Sequence, residues 1–169
     1  SVDWSALLAD PALASGDYAA LDRYMGTQGN TFAVYDQAGE LVYASAQDFD
    51  DHLTGGELSC VPLHDVPVVI SAYDTTDKNG SPRRLLVQST YTDDGTDPQV
   101  ELMVLDEAGA VVFGGFGEQD SYTQREYAYL SGSRFPGAFL SRGTFTAADG
   151  QTMTVLLREE SVTDADYYR

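Results

Sequence analysis

The chain has 169 residues, 43% of them hydrophobic, which suits one folded domain of ordinary size or a pair of compact duplicated halves. Its 27 acidic residues against 9 basic ones give a formal net charge of −18. That charge argues against nucleic acid and anionic lipid as partners, because both are bound through Lys and Arg.

Two helices are predicted within a helical entry that covers residues 1–30. Asp3 is a suitable N-cap for the first helix, and Pro11 would end or bend it. The second helix is expected from about Asp17 to Met25, where apolar residues recur with helical spacing and Gly26 supplies a C-terminal stop. Both helices would pack on a sheet.

Residues 31–97 form the first of two predicted hairpin halves. Its opening turn, Asp36-Gln37-Ala38-Gly39, contains a glycine that can adopt positive φ between two apolar strands. A polar spacer from Gln47 to Asp65 separates this hairpin from the next, whose connection from Asp74 to Pro82 is predicted to be an exposed turn. The predicted strands of this half are residues 32–35, 41–44, 66–73 and 85–91.

Residues 98–169 form the second half, which repeats the order of hairpin, spacer and hairpin. Its first turn, Asp106-Glu107-Ala108-Gly109, matches the earlier one. Duplication would produce two similar half-sheets, whereas chance recurrence of a common turn would produce one antiparallel sheet, and both interpretations stay open. Alternating side chains from Thr152 to Leu157 predict a half-buried strand. The predicted strands of this half are residues 102–105, 111–113, 139–146 and 152–157.

Candidate catalytic and metal-binding residues are few. His52, Cys60 and His64, together with Asp50 or Asp51, contain enough donors for a zinc site or a metal-dependent hydrolase. Their spacing is not a catalytic signature, and two histidines in one loop are usually ordinary polar residues. We therefore predict no catalytic residue, no metal and no cofactor, and Cys60, as the only cysteine, excludes an intrachain disulfide.

Three further loops were considered for ligand binding. The segments from Asp74 to Gly80 and from Asp93 to Asp97 do not fit an EF-hand and are predicted to be solvated turns. The segment from Gly114 to Gly117 lacks the helix and acidic residue of a dinucleotide site, and it is typical of a strand end that approaches another backbone.

The second spacer, from Glu118 to Pro136, is the strongest candidate for a ligand site. It is predicted to contain a short helix capped by Asp120 or Ser121. Aromatic rings with a few placed polar groups form small-molecule pockets, and arginine can bind a carboxylate through two hydrogen bonds. Alternatively, the rings cover the sheet and the arginines pair with surplus acids. The candidate ligand-binding residues are Tyr122, Arg125, Tyr127, Tyr129 and Arg134.

The predicted helix from Asp17 to Met25, followed by the sequence from Phe32 to Ser45, resembles part of a known family. It is similar to the extracytoplasmic sensor domains of bacterial membrane histidine kinases, in the PAS-like and Cache-like group. There a helix leaves the first membrane span and leads into a strand, an Asp-x-x-Gly turn and a strand that ends in Tyr-x-Ser. The resemblance implies an α+β fold, with N-terminal helices packed on a mainly antiparallel sheet. It also implies a place on the outer face of the cell membrane.

We therefore expect a single extracytoplasmic sensor domain over residues 1–169, which is not itself an enzyme. It would pass a small-molecule or protein signal to a cytoplasmic kinase of a two-component system by conformational change. A second copy of the chain is a further candidate partner. The chain contains no run of 18 apolar residues and does not begin with Met, so we expect it to be excised from something longer or processed. The resemblance implies that the full-length protein is membrane-tethered. The alternative is a secreted or surface-anchored binding or adhesion module without catalytic activity.

Overall fold

The computed structural model describes residues 1–160 and has an α+β fold, with a few helices packed on two four-stranded sheets. This confirms the predicted fold class. Residues 161–169, the end of the predicted second half, lie outside the described residues. The chain divides into two compact units. Among the described residues, unit 1 contains Ser1–His64 and residues 135–160, and unit 2 is Asp65–Arg134.

The helical entry belongs to unit 1 and contains α1 (Trp4–Ala9), α2 (Pro11–Ser15) and a 3-10 helix (Tyr18–Tyr24). Asp3 caps α1 as predicted, because its side chain accepts a hydrogen bond from the N–H of Ala6. The first helix ends at Ala9, just before Pro11, as predicted, and Pro11 then takes the first position of α2, where a helix needs no N–H donor. The predicted helix from about Asp17 to Met25 is present as the 3-10 helix.

Eight strands in the described residues form the two sheets, and every strand pair within them is antiparallel. Sheet 1 has the order β2-β1-β8-β7 and sheet 2 the order β3-β4-β5-β6. Helix α3 (Gly55–Ser59) follows β2 and was not predicted, and α4 (Gln124–Ser131) follows β6. The strands are β1 (Thr31–Tyr35), β2 (Leu41–Ala44), β3 (Val68–Thr76), β4 (Pro82–Thr90), β5 (Gln99–Leu105), β6 (Val111–Gly114), β7 (Ala138–Thr146) and β8 (Thr152–Glu160).

Both sheets place two hairpins side by side, but their connectivity differs, and each contains one hairpin from each predicted half of the sequence. The β1–β2 hairpin of the first half pairs with the β7–β8 hairpin of the second, through β1 and β8. The β3–β4 and β5–β6 hairpins form the other sheet, through β4 and β5. Because only residues 91–98 join β4 to β5, these two strands pair as neighbours along the chain. There are thus two similar four-stranded sheets. Each combines one hairpin from residues 31–97 with one from residues 98–169.

Strands β1 and β8 are buried on both faces. On one face, Phe32, Val34 and Val155 pack with apolar side chains of the helical entry, among them Leu7 and Leu13. Alternate residues point to opposite faces of a strand, yet β8 is buried continuously over residues 155–158. The prediction of a half-buried strand is therefore wrong, because sheet 1 is covered on both sides.

The second face of β8 carries a buried arginine. The guanidinium carbon of Arg158 lies 4.8 Å from the ring centre of Phe49 and 4.7 Å from that of Phe135. Its Nη1 donates to Asp48 at 2.6 Å and its Nε to the hydroxyl of Thr31 at 2.9 Å. These contacts offset the free-energy cost of removing the guanidinium charge from water.

Each unit contains the same contact between a hairpin turn and the segment before a helix. The carbonyl of Gly39 accepts a hydrogen bond from the N–H of Leu53 at 2.9 Å, and that of Gly109 accepts one from Tyr122 at 2.8 Å. Both glycines have positive φ, +81° and +87°. A Cβ atom at Gly39 would overlap the carbonyl oxygen of Leu53, and one at Gly109 would overlap that of Tyr122. Only glycine fits these turns, for reasons of both conformation and space.

We predict that Gly39→Ala destabilises the chain far more than Gly150→Ala. Gly150 also has positive φ, but a Cβ atom there would meet no heavy atom within 4 Å. Strain alone should therefore cost Gly150→Ala about 1 kcal/mol. Gly39→Ala should lose at least about 2 kcal/mol more, because the backbone must also move. Urea unfolding of the two variants measures the difference, and equal losses would contradict the close approach.

Candidate functional site

The predicted helix of the second spacer is present in unit 2 as α4, but its cap is Thr123, not Asp120 or Ser121. The hydroxyl of Thr123 accepts from the N–H of Glu126 at 3.1 Å, and the carboxylate of Glu126 accepts from the N–H of Thr123 at 2.8 Å. This capping box satisfies two backbone donors at once, so it determines where the helix begins. Thr54 and Glu57 form the same box at α3 of unit 1.

Two of the candidate ligand-binding residues are buried inside unit 2. Tyr122 is 5% exposed and Tyr129 is 3% exposed. The hydroxyl of Tyr122 lies so close to Gly117 that a Cβ atom at that glycine would overlap it. Both rings therefore serve the packing of the unit, as the alternative interpretation of this spacer expected.

The three other candidates have different surroundings. Arg125 is exposed on α4, and Arg134 is partly exposed just after it, where its backbone N–H donates to the carbonyl of Ala128. Tyr127 is half-buried, and its ring contacts the guanidinium of an arginine that was not among the candidates.

That residue is Arg84 of β4. Its guanidinium carbon lies 4.1 Å from the ring centre of Tyr127, within the range of a cation–π contact. Burial raises the pKa of Tyr127, the positive charge of Arg84 lowers it, and the carboxylate of Asp74 raises it further. The ring therefore remains a neutral platform against which the guanidinium rests.

Arg84 lines a cleft of about 260 Å³ at one end of sheet 2. The cleft lies where β3 and β4 approach their connecting turn and where the β5–β6 turn begins. Asp74 stands directly opposite Arg84 in the β3–β4 pairing. The lining residues are Asp74, Thr75, Pro82, Arg83, Arg84, Asp106 and Glu107.

The two arginines of the cleft differ in their ionic contacts. Arg83 forms an ion pair with Asp77 at 3.2 Å. Within residues 1–160, Arg84 has no carboxylate within 4 Å, although the chain carries 27 acidic residues. Asp106 uses one oxygen to accept the N–H groups of two later turn residues, each at 2.9 Å, which holds its carboxylate in place. A guanidinium and several carboxylates thus share a small cleft, an arrangement suited to a ligand that bears both charges.

The position of Arg84 could have been predicted from a better assignment of the turn. The predicted turn from Asp74 to Pro82 is too long, because β3 continues to Thr76 and β4 begins at Pro82. The true turn runs from Asp77 to Gly80 and repeats the Asp-x-x-Gly form of the other hairpins. That shorter turn sets the register that brings Asp74 opposite Arg84.

The candidate metal ligands do not assemble into a site. His52 Nδ1 lies 2.9 Å from a carboxylate oxygen of Glu40, whereas the ring of His64 stacks on Trp4 at 4.6 Å between centres. Cys60 is buried. Among residues 1–160, no group of three or more His, Cys, Asp or Glu is arranged to hold a metal ion.

The chain has no match among family models, curated proteins or solved structures. None of the helices in the described part of the chain is both long and apolar enough to cross a membrane.

The segment from Gly114 to Gly117 was predicted to be a strand end that approaches another backbone. This is confirmed at Gly114, where a Cβ atom would overlap the carbonyl oxygen of Leu102.

We predict that stability falls as the pH rises above about 10, the ordinary pKa of tyrosine. Burial raises the pKa values of Tyr18, Tyr43 and Tyr127 in the folded state. The unfolded chain therefore releases these protons first, and the folded state loses free energy relative to it between that pH and the raised values. Urea unfolding between pH 8 and pH 11 should show a smaller loss for Tyr127→Phe than for the original chain. An identical loss in both would contradict the burial of that hydroxyl.

Proposed function

We propose that this chain is the extracellular sensing domain of a membrane signal-transduction protein of the histidine kinase type. Its ligand site in this proposal is the cleft of unit 2. The resemblance of residues 17–45 to sensor domains motivates the class of function. An α+β fold, with helices packed on antiparallel sheets, is compatible with that class.

The observation that carries the ligand site is the placement of Arg84. Tyr127 supports one side of its guanidinium at 4.1 Å, and no described carboxylate neutralises it. An exposed arginine held by an aromatic ring presents its N–H donors with less loss of side-chain freedom on binding. Such a group is well suited to a ligand carboxylate.

The acids of the same cleft determine the rest of the ligand chemistry. Asp74, Asp106 and Glu107 would repel a simple dicarboxylate, but they would attract an ammonium group. A small zwitterion, with a carboxylate for Arg84 and an ammonium for the acids, therefore fits best. The cleft, at about 260 Å³, is slightly smaller than the usual pockets for drug-sized ligands, so we expect a small ligand.

Signal transfer in this proposal follows from the position of the cleft. Its lining comes from the β3–β4 hairpin and from the β5–β6 turn. A ligand that contacts both would favour conformations in which the hairpin and the turn are close together. Binding would shift the population toward those conformations, and the rest of the protein would respond to that shift.

We predict that at least one small amino acid raises the melting temperature of the chain by several degrees at millimolar concentration, because binding to the folded state alone adds to stability. Arg84→Gln should abolish that increase, and Tyr127→Leu should reduce it by removing the support of the guanidinium. Lys78→Gln is the matched control, because Lys78 lies in the adjoining turn and does not line the cleft. A thermal-shift series measures all four proteins.

Two analogues of the stabilising compound test the chemistry of the site. The corresponding amine, which lacks the carboxylate, should give no shift, and the acid that lacks the ammonium should give a smaller one. A shift that persists in Arg84→Gln would place the binding site elsewhere and overturn the assignment. The absence of a shift with every amino acid and small carboxylate would overturn the proposed ligand class.

A further inference from the structure

Sheet 2 has one apolar face that remains exposed. The row Tyr73, Leu85, Val104 and Phe113 crosses all four strands, since each of these residues is paired directly with the next. Tyr73 is 55% exposed and Phe113 is 64% exposed. Because side chains alternate along a strand, residues two positions away share this face. The other positions of the face are Val69, Ser71, Thr75, Arg83, Val87, Ser89, Val100 and Leu102.

This acid-free face contrasts with the composition of the chain. Its positions carry no Asp or Glu, although the chain has 27 of them and a formal net charge of −18. Its one charged residue, Arg83, is already paired with Asp77. Helix α4 lies on the other face of the sheet, where Tyr127 meets Arg84 and where Leu86 and Met103 are buried. An exposed apolar patch of several hundred Å² often marks an interaction site.

Unit 1 shows what happens to the equivalent face. Aligning the two Asp-x-x-Gly turns matches Phe32, Val34 and Tyr43 of unit 1 with Leu102, Val104 and Phe113 of unit 2. In unit 1 those side chains are packed against the N-terminal helices. Residues 65–134 contain no such helices, because their one helix, α4, covers the opposite face. Within residues 1–160, the acid-free face therefore lacks the helical cover that its counterpart has.

We propose that a second copy of this chain covers the acid-free face and that the two copies pack sheet against sheet. Contact between two such chains elsewhere would bring carboxylates together, since each copy carries a net charge of −18. The acid-free face avoids that repulsion and can match itself about a two-fold axis. This inference is independent of the ligand site and of the proposed function.

The dimensions of the face indicate the strength of the association. Four strands about 4.8 Å apart, with lengths of up to nine residues at about 3.3 Å each, cover roughly 500 Å². A standard interface buries about 800 Å² per partner, so this face is small for a dimer and we expect a weak, concentration-dependent association. A two-fold axis parallel to the strands would place Tyr73 of one copy over Phe113 of the other, and the two sheets would lie about 10 Å apart.

Sedimentation velocity over a range of protein concentrations tests the proposal. We expect the original chain to form dimers, and more readily as salt screens the repulsion. Phe113→Asp and Leu102→Asp should each weaken the association at least tenfold, because each places a carboxylate in the interface. Phe139→Asp is the matched control, since Phe139 is 63% exposed on an edge strand of sheet 1. Circular dichroism verifies that every variant is folded.

A mixture of two variants tests the pairing within the interface. Phe113→Asp and Tyr73→Lys should each be monomeric, but an equimolar mixture should regain dimers, because the new aspartate then meets the new lysine. Recovery would support the arrangement of Tyr73 over Phe113, and its failure would overturn that arrangement. The dimer proposal itself is overturned if the original chain stays monomeric at millimolar concentration. It is equally overturned if Phe113→Asp and Phe139→Asp associate alike.

Discussion

The pairing of β1 with β8 is the interaction on which the rest of unit 1 depends. It joins strands from opposite ends of the described chain and forms the centre of sheet 1. The helical entry packs on one face of these two strands, and Arg158 with its aromatic neighbours lies on the other. Such a distant pairing carries a high entropic cost, which the burial of both faces offsets. Strands β4 and β5 pair with each other in sheet 2. The open side of the β1–β2 hairpin therefore pairs with β8, at the other end of the described chain.

The sequence predicts the hairpins of this protein well and their assembly poorly. Every predicted strand exists, because alternation of side chains and an Asp-x-x-Gly turn are local signals. The pairing of hairpins from the two sequence halves is not a local property, so duplication anticipated two similar sheets but not which hairpins each would contain. Short helices were also difficult to predict from the sequence. Helix α3 has five residues, and its position depends on the capping box of Thr54 and Glu57. A box of that kind is visible in the sequence, but five residues show no periodicity.

The surroundings of Arg84 could be predicted only in part. The second spacer was predicted to carry aromatic rings, and one of them, Tyr127, contacts Arg84. The arginine comes instead from β4, whose contact with α4 depends on tertiary packing. Tyr122 and Tyr129 had equally suggestive sequence positions and are buried. The residue types predicted aromatic rings in this spacer. Only the strand register shows that Arg84 is the residue that Tyr127 contacts.

The insertion of unit 2 within unit 1 has a consequence for synthesis on the ribosome. Strand β1 is complete at Tyr35, but its partner β8 begins at Thr152. At roughly 5–20 residues per second, β1 waits on the order of 6–25 s for that partner. Unit 2 needs no such delay, because its strands pair with those that directly precede or follow them. During that interval β1 can pair with β2 and pack against the earlier helices, but its edge toward β8 stays unpaired while unit 2 is being made.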